Sequence, residues 1–316
     1  MPLGIRYGYG VDPFLATAIF VFGLIFGSFL NVCIHRLPRD LSVSDPPRSA
    51  CPKCQHQIAF YDNIPVLSWV ILGGRCRSCS AAISPRYLLI ELLTGCLFLA
   101  CYWQFGLTLA ALKYCVFSFL LLGLIFTDAE TKLLPDKLTL PGIALGLLFS
   151  LVVPVNDLAS QFLSGTALLP VSADLSSPIL SLIDALLGAA VGASFLYGVG
   201  AIYLRTRGIE GMGFGDVKLM GMIGAFLGVK LTVLTIFAAS IAGSLFGVST
   251  MLVVWIKRTR RFVHRHASFA QARSRAWQSV QAFRYFQMPF GVFLGSMAML
   301  AFFFGDRFLH WYWRLL

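Results

Sequence analysis

Charge is what this chain has least of. Only 12% of its 316 residues are Asp, Glu, Lys or Arg, whereas 58% are hydrophobic and the mean hydropathy is +0.78. A soluble domain carries about 25% charged residues, so a globular surface facing water all round is excluded. Acids are the scarcer sign, 14 against 25 bases. No G-x-G-x-x-G stands at a strand-to-helix turn, which excludes a Rossmann-type cofactor fold. Nucleic-acid recognition asks for bases interleaved with aromatics on a soluble module. Only Lys257 to Arg284 comes near that pattern, and no nucleic-acid partner is expected. The first apolar run has only Arg6 before it and lacks the small-x-small exit of a cleaved signal, so it is expected to remain as a span.

What is present is oil in lengths that fit a bilayer. Apolar runs extend over Phe14 to Ile34, Tyr87 to Phe105, Ala110 to Phe126, Leu138 to Val153, Leu182 to Leu204, Val217 to Gly228, Leu231 to Ile256 and Met288 to Phe304. Most approach the ~20 residues a helix needs to cross hydrocarbon. The expected fold is an all-α polytopic membrane protein of about eight transmembrane helices, the sixth short. Alternating these spans places 20 of the 25 basic residues on one side, which is then cytoplasmic, with both termini outside.

The pattern divides the chain into a first span (1–34), a cytoplasmic module (35–86), a membrane core (87–256), a basic segment (257–287) and a last span with its tail (288–316). The external loop 154–181 holds two aspartates and no Lys or Arg and reads as a spacer. The basic segment fits both an amphipathic helix on anionic lipid and a solvated loop. No internal repeat stands out.

The module carries CPKC at Cys51 to Cys54 and CRSC at Cys76 to Cys79. Two short turns each offering two sulfurs suit a tetrahedral thiolate site. Cytosolic thiols stay reduced, and a loop of ~50 residues has a marginal core that a metal can stabilise. A structural Zn2+ on Cys51, Cys54, Cys76 and Cys79 is the expectation. Cys33, Cys96, Cys101 and Cys115 stand alone in apolar runs, as small packing residues do.

Two acids stand at span ends, Asp128 in LIFTDAETKLLPD and Asp216 in EGMGFGDVKL. Alternating topology puts both at the cytoplasmic face, where they can meet. Paired carboxylates cannot both ionise, and such a pair can activate water and protonate a leaving amine. Gly211, Gly213 and Gly215 would let a substrate backbone approach the second carboxylate. Each piece alone has a plainer explanation: Asp216 as a helix cap, the glycines as helix packing. Glu130, Asp136 and Glu210 are neighbouring acids that could attract positive charge. A proton-coupled transporter would want its acids near the midplane, and these lie at span ends.

Six motifs in order carry a resemblance: GSFLNVCIHRLP (Gly27 to Pro38), the two C-x-x-C pairs with NIPVLSW between them, ISPRYLLIE (Ile83 to Glu91), DAETKLLPD (Asp128 to Asp136), EGMGFGDVKL and PFGVFL (Pro289 to Leu294). The chain resembles the type IV prepilin peptidases over nearly its whole length. The resemblance implies an aspartyl protease of the bacterial inner membrane with Asp128 and Asp216 as its catalytic pair. It implies cleavage of prepilins and pseudopilins after a short basic leader ending in Gly, followed by N-methylation with S-adenosylmethionine. For the methyl-donor site it points to polar residues near the first span and the module: Asn31, Arg36 and Glu91. The chain departs from the pattern at Val292, where Pro is usual, and in its long 154–181 and 257–287 segments. None of these is expected to touch the acid pair.

Overall fold

The computed structural model describes residues 12–45, 49–51, 53–154, 176–209, 211–263 and 289–315. Among them there is no named strand, only the isolated bridges Ala50–Gln57 and Arg75–Ala82. The helices are α1 (Pro13–Arg36), α2 (Leu67–Ile71), α3 (Arg86–Phe105), α4 (Leu109–Thr131), α5 (Asp136–Val152), α6 (Ser176–Arg207), α7 (Phe214–Val263) and α8 (Phe290–Trp313).

Six of these, α1, α3, α4, α6, α7 and α8, are long and apolar enough to cross a membrane, and the chain is a multi-pass membrane protein. Two details relate six to the expected eight. α5, with 17 residues and Pro141 inside it, is apolar but short. α7 is not one rod: Gly228, at φ 77 and ψ 179, interrupts it. Before the break Asp216 lies near the start of α8. Just past it Lys230 pairs with Asp306 near the end of α8 (2.6 Å), and farther on Gly243 lies against Phe290, back at the start of α8. The helix therefore reverses at Gly228 and crosses twice, and the short sixth span of the sequence is its first arm.

Local chemistry explains the ends. Asp12 caps α1 by accepting the Phe14 N–H (2.9 Å), with Pro13 in the first turn, where a missing N–H costs nothing. Thr108 caps α4 through the Ala111 N–H. Inside the bundle, hydroxyls return to carbonyls four residues back, as in Thr94 to Ile90 and Thr232 to Gly228. These hydroxyls are thereby kept from facing hydrocarbon unpaired. Small residues set the closest crossings. A Cβ on Gly27 would lie 2.6 Å from the Glu91 Cα, and one on Gly224 only 2.1 Å from the Gly188 carbonyl oxygen, so α1 meets α3 and α6 meets α7 backbone to backbone. Phe117 of α4 and Phe226 of α7 meet in the core at a tilt of 34°, ring centroids 5.0 Å apart.

The 35–86 module sits over the end of the bundle where α1 finishes and α3 begins. α7 stays helical to Val263, well into the stretch expected to be a separate basic segment. The remainder of that segment (264–287), Met288, most of the external loop (155–175) and Glu210 lie outside the described residues.

Candidate active site

Asp128 stands in the last turn of α4. That helix stops at Lys132, in the left-handed conformation (φ 56), whose N–H closes on the Asp128 carbonyl at 2.9 Å. The carboxyl side chain turns inward, and the residue is 4% exposed. Its Oδ2 accepts the Val292 N–H at 2.9 Å, and the Gly291 N–H is a second donor. Both amides belong to the first turn of α8, where N–H groups have no partner within the helix and the helix dipole is positive. A Cβ on Gly291 would come within 2.9 Å of Asp128 Oδ2, so only glycine lets the carboxylate settle there.

Asp216 lies in the first turn of α7, 9% exposed, with its N–H on the Gly213 carbonyl (3.1 Å). Leu134, from the turn after α4, joins the two regions. Its side chain is the nearest neighbour a Cβ on Gly215 would meet (2.9 Å), and it would also meet one on Gly291 at 3.2 Å. Through this side chain the end of α4 and the starts of α7 and α8 converge, and Asp216 feels the charge of Asp128.

The three glycines before Asp216 differ. A side chain at Gly211 would strike the Tyr203 ring at 2.3 Å and one at Gly215 would strike Leu134, whereas Gly213 has nothing closer than 4.0 Å. Two of the three thus have a packing reason, and Gly213 alone borders open space. The neighbouring acids have partners: Glu130 pairs with Arg86 and Asp136 takes the Lys218 ammonium at 2.6 Å. Neither is a free attractant for positive charge. Sequence reasoning missed Gly291 and Val292 as partners of Asp128, although PFGVFL was a visible motif. Val292, expected to be a departure remote from the acid pair, is in direct contact with it, and its donated N–H is one a proline could not supply.

The four module cysteines come together, with all their Sγ atoms within 4.8 Å of one another and Cys51 Sγ 3.8 Å from Cys79 Sγ. A tetrahedron with Zn–S bonds of ~2.3 Å has edges of about 3.8 Å. The two halves repeat each other. In each, the first cysteine's carbonyl accepts the N–H of the residue four later (Gln55, Ser80; 2.9 Å), and its own N–H reaches five residues on (His56, Ala81). Gln55 and Ser80 share a positive φ, 58 and 57. This local repeat was not apparent in the sequence. The Cys54 and Lys53 amides hold the Cys51 thiol down at about 6, toward the thiolate that binds metal. Arg77 clasps Asp62 with two hydrogen bonds, 2.7 and 2.6 Å, which holds the Asp62 carboxyl below its usual range and ties the second knuckle to the 60–63 turn.

The three residues associated with a methyl donor separate. Asn31 is buried and donates to the Gly27 and Tyr87 carbonyls, tying α1 to α3. Arg36 lines a cavity of about 790 Å³ between α1 and the module and is braced by the Ser42 and Val43 carbonyls. Glu91 stands behind that cavity, accepting the Val66 N–H at 2.7 Å.

These features define a class: a polytopic membrane protein with two buried carboxylates converging at one end of its bundle, beside a four-thiol module. The chain belongs to the type IV leader peptidase family. That family's description matches residues 115–248, and "Bacterial Peptidase A24 N-terminal domain" matches 21–105. Among curated relatives named prepilin leader peptidase/N-methyltransferase, that of Aeromonas hydrophila is 32% identical over 99% of this chain and 98% of its own. That of Neisseria gonorrhoeae is 35% identical over 80% and 86%, and that of Klebsiella pneumoniae 38% over 72% and 92%. No solved structure matches.

Proposed function

We propose that the protein is an aspartyl endopeptidase of the bacterial inner membrane. It removes the short basic leader of prepilins and pseudopilins after Gly at the cytoplasmic face, then N-methylates the new terminus with S-adenosylmethionine. The observation that carries the peptidase chemistry is the convergence of Asp128 and Asp216, both buried, with the α8 amides on Asp128. The substrate's apolar helix lies in the bilayer and brings its junction to the end of the bundle beside Gly213. The ionised carboxylate of the pair takes a proton from water, whose oxygen attacks the peptide carbon. The protonated carboxyl then gives its proton to the leaving amine as the C–N bond breaks. The α8 amides hold Asp128 in place and need no rearrangement during the step.

Four thiolates at tetrahedral spacing fit Zn2+ in a structural role, since they leave no open coordination position. For the methyl donor, the cavity under the module has the volume of a small-molecule site. Arg36 at its mouth would hold a carboxylate, while Ser28 and Asn63 line it as polar contacts. Bound there, the sulfonium supplies an electrophilic methyl group. Asn31 keeps a structural role.

The test is cleavage of a purified prepilin in vesicles, with labelled methyl donor present. Asp128→Asn and Asp216→Asn should each abolish cleavage while the protein still inserts. Methylation of an already processed pilin should persist in both variants, because the carboxylate pair and the cavity share no residue. Near wild-type cleavage by either variant would refute the assignment.

A further inference from the structure

The stretch from Phe60 to Leu72 lies deeper than the rest of the module. Val66 gives its N–H to Glu91 Oε2 at 2.7 Å, and Glu91 stands five residues into α3, where its Cα crosses Gly27 of α1. At ~1.5 Å per residue that crossing is roughly 7 Å below Arg86, where α3 begins, and roughly 13 Å below Arg36, where α1 ends. Arginines at the ends of spans sit in the headgroup layer, which is about 5–8 Å thick on each side of a bilayer. The Val66 turn therefore reaches the acyl chains. Ile64 and Pro65 border the same cavity as Ile25, Ser28 and Phe29 of α1, which gives the same depth by a second route.

Backbone at that depth has no water to bond, so an irregular turn is tolerated there only when the protein answers its N–H groups. This turn meets the demand residue by residue. The Ile64 N–H goes to the Ser68 hydroxyl at 3.1 Å, and Pro65 has no N–H to place. Val66 goes to Glu91, Leu67 to the Pro65 carbonyl (2.6 Å) and Ser68 to the Ile64 carbonyl (3.1 Å). The Ser68 hydroxyl in turn donates to the Tyr61 carbonyl at 2.9 Å. To make these bonds Val66 adopts φ 61 and ψ −53, a γ-turn that is rare and strained for a β-branched residue. In water, solvent would supply the same bonds without the strain.

The side chains are arranged oppositely to those of a module facing water. Ser68 is buried, whereas Leu67, Val70 and Ile71, at i, i+3 and i+4 on α2, are all more than half exposed, and Phe60 is 81% exposed. None of the three α2 residues lines the cavity assigned to the methyl donor. The only charged side chain between Phe60 and Leu72 is Asp62, which Arg77 clasps. Beside the apolar face Trp69 gives its Nε1–H to the Ile83 carbonyl at 3.4 Å and Tyr61 is half exposed; bilayer interfaces favour both side-chain types. A contiguous apolar face of this kind marks an interaction surface.

We infer that residues 60–72 form a re-entrant element of the module, which seats Leu67, Val70 and Ile71 among the acyl chains of the adjacent leaflet. Lipid is the occupant because the face lies level with Ile25 and Phe29 of α1, which are themselves exposed along the span, and joins them through Phe60 and Ile64. Glu91 and Ser68 are positioning residues: within the hydrocarbon they supply the hydrogen bonds that water gives to other loops. The element falls between the two thiol turns in sequence, 51–54 and 76–79, so both turns are held at a fixed height by an anchor additional to α1 and α3.

The test uses the full-length protein in phosphatidylcholine–phosphatidylglycerol vesicles, with a fluorescent amino acid introduced by codon suppression at Val70, at Leu67 or at the exposed acid Asp45. Lipid brominated along its acyl chains should quench the probe at Val70 and Leu67 several-fold more strongly than at Asp45, and aqueous iodide should give the reverse order. Glu91→Ala removes the acceptor of the Val66 N–H and should move the Val70 probe toward iodide. Glu91→Gln keeps an acceptor and should leave it in lipid. Iodide quenching at Val70 equal to that at Asp45 would overturn the inference. So would a probe shielded from both quenchers, since protein, a second copy or a partner, would then cover the face. An unchanged Val70 probe in Glu91→Ala would overturn the role given to Glu91.

Discussion

Gly291→Ala is a demanding test of the acid site, because it changes one methyl group on a residue with no chemistry of its own. The added Cβ would lie 2.9 Å from Asp128 Oδ2, 3.1 Å from its Cγ and 3.2 Å from Leu134 Cδ1. Leu134 can swing aside, but the carboxyl group is pinned between that methyl and the Val292 amide at 2.9 Å. Relief requires a shift of several tenths of an ångström, which weakens the amide bond. A hydrogen bond to a charged group is worth about 1.5–3 kcal/mol, so weakening it by about half should lower the cleavage rate roughly 3- to 10-fold. The assay is steady-state cleavage of a prepilin in vesicles, read beside a thermal melt of the same preparation. The expected pattern is a reduced kcat with a small change in KM and in melting temperature. Cleavage within twofold of wild type, or a lowered melt with normal kcat, would show that Gly291 only packs and that the α8 amides do not serve Asp128.

Three further outcomes are expected. Val292→Pro removes one amide donor but leaves that of Gly291, so kcat should fall by no more than about tenfold, and Val292→Ala, which keeps the N–H, should match wild type in the same assay. Purified protein should carry about one zinc per chain by elemental analysis; Cys51→Ser or Cys76→Ser should lose it and unfold the module, and a disulfide with no metal would contradict this. Gly224→Ala should lower the melting temperature by several degrees, because its Cβ would meet the Gly188 carbonyl oxygen at 2.1 Å and overpacking against backbone costs about 1–3 kcal/mol or more; an unchanged melt would mean that α6 and α7 can separate cheaply.

Features written in one stretch of chain were legible in the sequence. The C-x-x-C spacing announced the thiol cluster, and hydropathy announced the spans, because thiolate turns and bilayer crossings are local demands. The position of Asp128 and Asp216 at span ends also showed through alternation. Contacts across the fold were hidden. Nothing near Glu130 or Asp136 says that Arg86 and Lys218 will take them. Nothing near Asp128 names an amide 164 residues away. The glycines of the G-x-G-D stretch look alike as letters, and only their neighbours distinguish Tyr203 at one, Leu134 at another and open space at the third. Gly228 was read as the end of a short span before the chain returns, and its positive φ supplies that turn inside what is otherwise continuous helix.

That reversal bears on the membrane itself. The first arm of α7, Phe214–Leu227, is about 14 residues or roughly 21 Å long, and α5 beside it has 17 residues, against a hydrocarbon core of about 30 Å. The second arm runs on past the level of Phe290 through the exposed apolar residues Leu245, Val248 and Leu252 before reaching Lys257. The mismatch is local, because α4 and α8, which hold Asp128, have 23 and 24 residues, and the first arm of α7 is buried from Leu219 to Leu227. Among the short elements it is α5 that turns large apolar side chains outward, Leu140, Leu148 and Leu151. Lipids would pinch inward along that side of the bundle, a thin seam in a protein otherwise as thick as its membrane.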